Sequence, residues 1–598
     1  MGRRALAALR HPAWLGIVGL LPYLQTLTHG LVDFDDPWLI RDNALLRYPS
    51  WRGLGQIWFD LSPELRLRLG AEYLPLRDMS VMLDYALYDS WFGGFHLTNL
   101  VLYGLLCAAA GTLVLRWTGR LELAWTAGLL WALHPLHAES VAWLSERKGL
   151  LAALGVLAAG LLFHRFVRRP SWGRGLAVAA CAVLAVWSKA VGVTAVPLLG
   201  LLLWLLPPGD RAPGSGRAAW LGWAGISAAA LLAALPVYLV GSQLVAEQQL
   251  HGGGLLSSAW LAARVQGLYL EQFLLGAQLG IGYELPAGTR GLVLGAAGAL
   301  LATVMAGLAL TGLWRRGAWA VAGLAGAAWW VFSLPTSQLL IPLQNVVADR
   351  YTLLPSLALA LALALLLGRL GSRWLRLGLV GLMAAMAAVM TVEQAASWAS
   401  PRALYAQALR ADPRSLSAMI QLSSLEADDG RLDRAWAWLE RARATHPHSS
   451  RVLLHQGLLH NRQGRRQQAI AAFRRAAEMD PLADKARANL ALLLRADRPR
   501  QALAWARQAA RIRHQSPHNQ RTLGVVALDN GLLSEARLAF SRALRLQPHS
   551  AQNLYNLAVV SQRQGQHRQA RNYLRRALKL DPGFRPAVEM NRGHFPPQ

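Results

Sequence analysis

Hydrophobic positions along this chain come in two arrangements. Up to about residue 391 they form unbroken apolar runs at 12–30, 95–117, 123–144, 148–166, 174–188, 190–206, 219–240, 291–313, 317–334, 351–370 and 374–391. Each is close to the roughly 20 residues that carry a helix across a bilayer core, with 174–188 and 190–206 at the short end. The eleven runs predict eleven spans in a polytopic helix bundle. The stretch 259–275 is interrupted by Arg264, Gln266, Glu271 and Gln272. It reads as a helix lying along the interface, which places 241–290 outside the bilayer. The run at 12–30 follows Arg3, Arg4 and Arg10 as a signal peptide would, but no small-x-small cleavage site precedes a soluble domain, so it reads as the first span.

Beyond residue 400 the runs give way to a period. Asp412-Pro413, His446-Pro447, Asp480-Pro481, Ser516-Pro517, Gln547-Pro548 and Asp581-Pro582 are separated by 34, 34, 36, 31 and 34 residues. Gly430, Gly464, Gly531 and Gly565 fall midway, with Arg498 in the remaining midpoint. Glycine there ends a first helix in a left-handed conformation, and proline opens the next unit. Small residues recur at the close contacts, as in Ala469-Ile470-Ala471-Ala472-Phe473. A repeated hairpin of about 34 residues is the tetratricopeptide signature, and about five such hairpins stack into a superhelix with one continuous core. The fold class is therefore all-α: a membrane domain over 1–399 with a large outer loop at 31–94, a repeat domain over 400–585, and a tail over 586–598.

Composition agrees with a membrane part. Hydrophobic residues make up 54% of the 598, and charged residues only 16%. Net charge is +28, which by itself would suggest nucleic acid. The positions say otherwise. Arg116 and Arg120; Arg165, Arg168, Arg169 and Arg174; Arg211 and Arg217; Arg315 and Arg316; and Arg369, Arg373 and Arg376 all fall in loops on one side of the eleven-span arrangement. This is the positive-inside pattern; it puts the N-terminus in the cytoplasm and, with an odd number of spans, residues 400–598 outside, in a bacterium the periplasm. Residues 401–598 carry 33 basic and 14 acidic residues, an excess of 19, so the repeats favour an acidic protein or an anionic lipid as partner. Asn489 and Asn556 lie on the inner helices, where such arrays receive extended peptides, or else satisfy neighbouring turns. Cys107 and Cys181 each sit inside an apolar run and read as buried fillers.

Candidate chemistry gathers at the outer ends of the spans. Loop 31–94 opens with Asp33, Asp35 and Asp36. Crowding and a partly apolar surround raise a carboxylate pKa, which suits a general base or a metal ligand; the plain reading is a turn with a helix cap before Pro37. The next outer loop carries His134, His137, Glu139 and Glu146, then Arg147 and Lys148. No second cluster completes a zinc site. Cations on the outer side run against the positive-inside bias and need a reason: a bound lipid phosphate, or pairing with Glu139 or Glu146. Lys189 and Asp349-Arg350-Tyr351 repeat the theme. No Gly-rich phosphate loop, Walker motif or dinucleotide motif is present, which argues against a cytoplasmic nucleotide-using enzyme.

Six strings carry a family resemblance: Phe34-Asp35-Asp36-Pro37; Tyr73-Leu74-Pro75-Leu76 with Leu83-Asp84-Tyr85-Ala86-Leu87; Gly94-Phe95-His96-Leu97-Thr98-Asn99; His134-Pro135-Leu136-His137-Ala138-Glu139-Ser140-Val141-Ala142-Trp143; Ser188-Lys189; and Ala348-Asp349-Arg350-Tyr351-Thr352. Together they resemble the transmembrane and tetratricopeptide-repeat O-mannosyltransferases of the endoplasmic reticulum and their bacterial relatives. The resemblance implies a GT-C fold and transfer of a sugar from a polyprenyl-phosphate donor to a protein acceptor outside the cytoplasm. It places the family's acidic motif on Asp35 and Asp36, favouring Asp36, and a second acidic loop on Glu139 and Glu146. The implied carrier-phosphate contacts are Arg147, Lys148, Lys189 and Arg350, with Tyr351 beside them. Two departures stand out: Leu74 where relatives have Arg, and Ala190 where they have Glu. Either Arg77 compensates for the first, or the donor is held differently.

The chemistry is coherent without the name. A carboxylate near the acceptor hydroxyl acts as base, and fixed cations meet the charge on the departing phosphate. No cofactor follows from the residues; a divalent ion, Mg²⁺ or Mn²⁺, on Asp35 or Asp36 is an alternative for the second task. The expected partners are a polyprenyl-phosphate-linked sugar, a protein or peptide acceptor at the repeats, and membrane lipid, with no nucleic acid. Two rival readings remain at this point: a non-catalytic membrane anchor presenting a repeat array to envelope proteins, and a transporter of a lipid-linked substrate. A transporter should show internal symmetry, and 12–391 shows no convincing repeat.

Overall fold

The computed structural model describes residues 10–205, 216–244, 254–276, 279–282, 285–315, 319–339, 343, 345–547 and 550–594. The chain divides into two compact units, Met1–Ser415 and Leu416–Gln598. The division lies beyond the 399/400 boundary expected from the apolar runs. Helix Pro401–Ala411 goes with the first unit because Leu404 packs with Val32, Trp143 and Trp398, and the Tyr405 hydroxyl donates to the Asp33 carbonyl at 3.2 Å.

Among the described residues of the first unit, five helices are long and apolar enough to cross a membrane: Phe92–Thr118, Leu144–Arg168, Gly216–Ser242, Gly288–Arg315 and Arg373–Ala399. Trp172–Ser188, Ala190–Trp204, Ala320–Thr336 and Pro355–Leu367 are apolar but shorter. The expected first span is broken into Pro12–Trp14, Leu15–Leu20 and Leu21–Thr28, with Pro12 and Pro22 each opening a 3₁₀ segment. Proline donates no hydrogen bond and starts such segments more readily than it continues a helix. The run at 123–144 yields only Leu121–Ala132, because Pro135 opens a new turn three residues later. Apolar length thus overstates helix length wherever proline intervenes.

The interrupted stretch 259–275 is helical and packed. It forms a helix, Leu255–Leu275, that runs lengthwise against Gly288–Arg315 and does not lie apart from the bundle. The two backbones touch. A Cβ added at Gly267 would stand 1.9 Å from the Leu294 carbonyl oxygen, and one at Gly298 would stand 1.9 Å from that of Ala263. Small residues let helices approach where no hydrophobic drive separates protein from lipid. Gly298→Val is therefore expected to lower the Tm of the detergent-purified protein. Gly307→Val, where a Cβ meets nothing within 4 Å on the same helix, should leave it unchanged. Equal melting of the two variants would refute the close packing.

The bundle has two chemically distinct ends. At one, Arg376 bridges Glu122 at 2.9 Å and the Trp125 indole donates to the Arg10 carbonyl at 2.9 Å. Arg116, Arg165, Arg168, Arg315 and Arg373 lie at the helix ends directed that way. At the other end the loop after the first segment folds over the 133–148 loop, and helix Arg373–Ala396 delivers Trp398 there, stacked on Trp143 at 5.9 Å. The chain thus leaves the first unit at the end that carries the acidic loop.

The second unit pairs first helices Leu416–Asp428, Ser450–Arg462, Asp484–Leu494, Pro517–Asp529 and Ala551–Arg563 with second helices Leu432–Thr445, Arg466–Met479, Pro499–Ile512, Leu533–Leu546 and His567–Leu580. Ser449, Ser516 and Ser550 cap three of the first helices by accepting from Val452, Asn519 and Asn553 N–H. Gly430, Gly464, Gly531 and Gly565 take φ between +71° and +78°, the left-handed turn the spacing predicts. Arg498 at the third midpoint stays at φ −136°, and its first helix stops early, at Leu494. Phe473 seats on Gly457 and Phe540 on Gly524, large residues on small ones, to build the core. Part of the expected tail is helical: Arg585–His594 buries Ala587 and Met590.

Candidate active site

Asp36 ties the two outer loops together. Its carboxylate is buried, accepting from Val32 N–H at 3.2 Å, from Ser145 N–H at 3.1 Å and from the Ser145 hydroxyl at 2.5 Å. Burial pushes its pKa up to about 6 against the pull of those donors. Asp35, one residue earlier, is half-buried and turned elsewhere. Its pKa is raised by burial, with Lys148 and Arg350 pulling it down and Glu72 pushing it up. Lys148 and Arg350 thus both act on it through their charge.

Those cations arrive paired. Lys148 Nζ bonds Glu72 at 2.8 Å, Lys189 pairs with Glu146, and Arg350 pairs with Glu139. Arg350 also reaches Glu146 at 3.8 Å, so that carboxylate stands between two cations. The Arg350 backbone N–H donates to Glu139 at 2.8 Å, and its guanidinium lies over the Trp143 and Tyr351 rings at 5.4 and 5.1 Å. Side chains of Lys148, Lys189 and Arg350 keep 18%, 18% and 13% exposure, enough for each to offer a free edge. Gly149 makes room for Glu146 to fold back, since a Cβ there would meet its Oε1 at 2.5 Å.

Lys189, Arg350, Tyr351 and Gly149 form the polar end of a cavity whose walls are Ala153, Val191, Phe332, Leu353 and Leu354. The first turn of helix Arg147–Arg168 opens onto it, adding the positive end of a helix dipole. The arrangement suits an anionic head on an apolar chain.

Two expected phosphate contacts are corrected. Arg147 is 1% exposed, bonded to Asp84 at 2.5 Å, Asn99 Oδ1 at 2.7 Å and the Phe95 carbonyl at 2.8 Å. Arg77 is 2% exposed, bonded to Asp78 at 2.7 Å, Glu72 at 3.1 Å and the Leu69 carbonyl at 2.6 Å. Neither has an edge left for a ligand. Each anchors a loop: Arg147 joins the second loop to helix Phe92–Thr118, and Arg77 holds Glu72 in reach of Lys148. Against the upward push of burial, Lys148 and Arg77 keep the Glu72 pKa below its ordinary value.

Asp35 and Asp36 are also the expected holders of a divalent ion. Asp36 already spends both oxygens on hydrogen bonds, and no group of three or more His, Cys, Asp or Glu suited to a metal occurs among the described residues. His134 stacks on Phe273 at 4.9 Å, and His137 lies between Tyr103 and Ser356 at 2.9 and 3.0 Å, both structural roles. Cys107 is buried and Cys181 half-buried, both free.

Comparison with known proteins bears on both units. Tetratricopeptide-repeat models match residues 395–450, 454–517 and 551–584. The chain is 30% identical over 222 residues to the protein O-mannosyl-transferase Tmtc1 of Drosophila melanogaster, covering 34% of this chain and 24% of that protein. It is 27% identical over 191 residues to the protein O-mannosyl-transferase F38B6.6 of Caenorhabditis elegans, covering 30% of this chain and 26% of that protein. It is 32% identical over 191 residues to TMTC2 of Mus musculus, covering 30% and 22%. This is a repeat-bearing membrane protein related to the eukaryotic O-mannosyltransferases. The match spans about a quarter of the length of those relatives. Among solved structures, YrrB, described as a TPR protein with an unusual peptide-binding site, matches at 18% identity over 31% of this chain and 97% of that chain, with a TM-score of 0.26.

Sequence reasoning passed over Glu72, Ser145, Asp78, Asp84 and Asn99 as working parts of this site. Asp84 and Asn99 stand within the strings that carry the resemblance, so a search for partners to Arg147 could have found them. Glu72 follows Gly70 and Ala71, both with positive φ, in an irregular turn that has no periodic signal. Asn489 is half-buried and bonds its own helix at the Lys485 carbonyl, 2.9 Å away, while Asn556 is buried and accepts from Gln552 at 3.1 Å.

Proposed function

We propose that this chain is a membrane glycosyltransferase that moves a hexose, such as mannose, from a polyprenyl-phosphate donor to a protein or envelope acceptor on the periplasmic side of a bacterial inner membrane. The observation that carries the reading is the apolar-walled cavity headed by Arg350 and Lys189, with half-buried Asp35 within reach of the charges of Lys148 and Arg350. The family relationship supports the reaction class. The excess of arginine at the opposite end of the bundle supports the orientation.

Asp35 takes the proton of the acceptor hydroxyl as its oxygen bonds to the anomeric carbon. The bond from that carbon to the phosphate oxygen breaks, and the electron pair leaves on the lipid phosphate. Positive charge builds on the sugar in the oxocarbenium-like transition state, and Lys189, Arg350 and the helix terminus at Gly149 meet the charge on the leaving group. Glu139 and Glu146 hold those two cations at fixed positions, so little reorganisation is needed when the charge develops. Asp36 positions Asp35 and acts through it. No step is assigned to a metal. Asn489 and Asn556 are retained as acceptor contacts in the repeats.

The test is transfer of labelled hexose from a lipid-phosphate donor to a peptide by the purified full chain. Lys189→Gln should raise the KM for the donor by roughly tenfold or more, from one charge-assisted hydrogen bond, and slow turnover as well. An unchanged KM and turnover would remove Lys189 from the donor site. A scaffold with no catalysis would show no product with any lipid-linked sugar and no effect of Asp35→Asn on its partners.

A further inference from the structure

One aromatic side chain of the first unit touches both halves of the candidate site. Trp143 stands between Glu139 and Glu146 in sequence and in backbone hydrogen bonding. Its N–H donates to the Glu139 carbonyl at 3.3 Å, and its carbonyl accepts from the Glu146 N–H at 3.2 Å. These are the two residues whose carboxylates Arg350 reaches. The Arg350 guanidinium lies over the Trp143 ring at 5.4 Å. Phe34, the neighbour of Asp35, meets the same ring edge-on at 5.6 Å.

The ring is backed from far along the chain. Trp398 stacks on it at 5.9 Å, with 21° between the planes. Both tryptophans are buried, and both indole N–H groups lack a hydrogen-bond partner. A buried tryptophan ordinarily finds one, so what this pair offers is its ring faces. Trp398 sits in the 3₁₀ turn Ser397–Ala399, and Ser400 caps the helix that follows, Pro401–Ala411, by accepting from the Ala403 N–H. That helix is seated at three points. Leu404 packs with Val32 and Ala142, Tyr405 donates to the Asp33 carbonyl at 3.2 Å, and Gln407 donates to the Leu279 carbonyl at 3.1 Å. Val32 and Asp33 belong to the stretch that leads into Asp35.

We infer that Trp143 is a positioning residue for the donor phosphate, acting through Arg350, and that Trp398, just ahead of helix Pro401–Ala411, holds Trp143 in place. A guanidinium is planar, with its N–H donors in a fixed fork. Its plane decides which donors go to Glu139 and which remain for an anion in the cavity that Arg350 shares with Lys189. An aromatic face against it fixes that plane by cation–π attraction. Without the ring, Arg350 is free to close on Glu146, now 3.8 Å away, and the edge toward the cavity is spent on a carboxylate. The segment that leads into the repeat helices thereby sets how well the donor is held. The inference rests on the reading of the cavity as a phosphate site, but not on sugar transfer.

The experiment measures equilibrium binding of radiolabelled farnesyl phosphate, a short polyprenyl phosphate, to the full chain in phosphatidylcholine nanodiscs, with farnesol as the uncharged probe. Trp143→Leu should raise the Kd for farnesyl phosphate about tenfold and leave farnesol binding unchanged. Trp143→Phe keeps an aromatic face against Arg350 and should stay within about twofold of the unchanged chain. Trp398→Leu should move the Kd the same way by about threefold, and Trp398→Phe should restore it. A lysine has no plane to fix, so in an Arg350→Lys background Trp143→Leu should add nothing further. A merely structural tryptophan would not show that non-additivity, and retained farnesol binding guards against a folding defect. Additive losses, or a Trp143→Leu variant that binds farnesyl phosphate as tightly as the unchanged chain, would overturn the inference. An effect of Trp143→Leu with none from Trp398→Leu would overturn the part assigned to Trp398. Equal binding of farnesyl phosphate and farnesol by the unchanged chain would overturn the phosphate site and the inference together. Phosphate-selective binding that depends on Trp143, without sugar transfer from any lipid-linked donor, would overturn the transferase reading and leave this inference standing.

Discussion

Asp35→Asn is expected to leave the protein folded and to lower sugar transfer by about 10²–10⁴-fold, the usual cost of losing a general base. Asp36→Asn should do something different. Its amide nitrogen would face the Val32 N–H, donor against donor, and the stitch to Ser145 would weaken. A stability loss of about 1–3 kcal/mol is expected from the unsatisfied group, with reduced activity as a consequence. Turnover and Tm measured on the same preparations separate the two residues. Full turnover by Asp35→Asn would move the base elsewhere, with Glu139 and Glu146 the next to test. The pH profile gives a second reading. Asp35 must be ionised to accept a proton, and burial raises its pKa, so transfer should fall on acidification with a midpoint above the ordinary aspartate value. A rate that stays flat down to pH 4 would contradict that role.

Arg147→Ala is expected to cost about 3–5 kcal/mol and most of the folded protein, because it strands the buried Asp84 without a counter-charge. The family resemblance alone would have Arg147 bind the donor phosphate, in which case the variant would stay folded and show only a raised KM. Size-exclusion elution and thermal stability in detergent distinguish the outcomes directly. Replacing the pair together, Arg147→Met with Asp84→Leu, should recover part of the stability, since a buried ion pair exchanged for apolar side chains is often neutral or better. Failure of the double variant to improve on Arg147→Ala would mean that the bonds to Asn99 and Phe95 outweigh the charge pair.

The contrast between Arg147 and Lys189 illustrates what one dimension withholds. Both are cations at the outer end of a span, and the family resemblance implies the same phosphate contact for each. What separates them is whether a carboxylate arrives from a distant part of the chain to consume every donor, as Asp84 does for Arg147, or only one, as Glu146 does for Lys189. The same holds for Asp35 and Asp36. Adjacent in sequence, they point apart once Pro37 opens a helical turn, and only then does one find Ser145.

What this chain's sequence determined by itself was local. Apolar runs separated a membrane part from a polar one, and the Gly–Pro period disclosed the repeats, because each depends on neighbours within a turn or a hairpin. Glycine at Gly430 or Gly464 takes its left-handed turn for reasons contained in the residue. Tertiary structure alone decided the rest. Packing of Gly267 and Gly298 backbone to backbone brought Leu255–Leu275 alongside a spanning helix, which the polar interruptions had hidden. Desolvation and pairing across loops far apart in sequence decided which charges serve as struts and which keep an edge for a ligand. The cost of burying a charge is set by what surrounds it, and those surroundings exist only in the folded bundle.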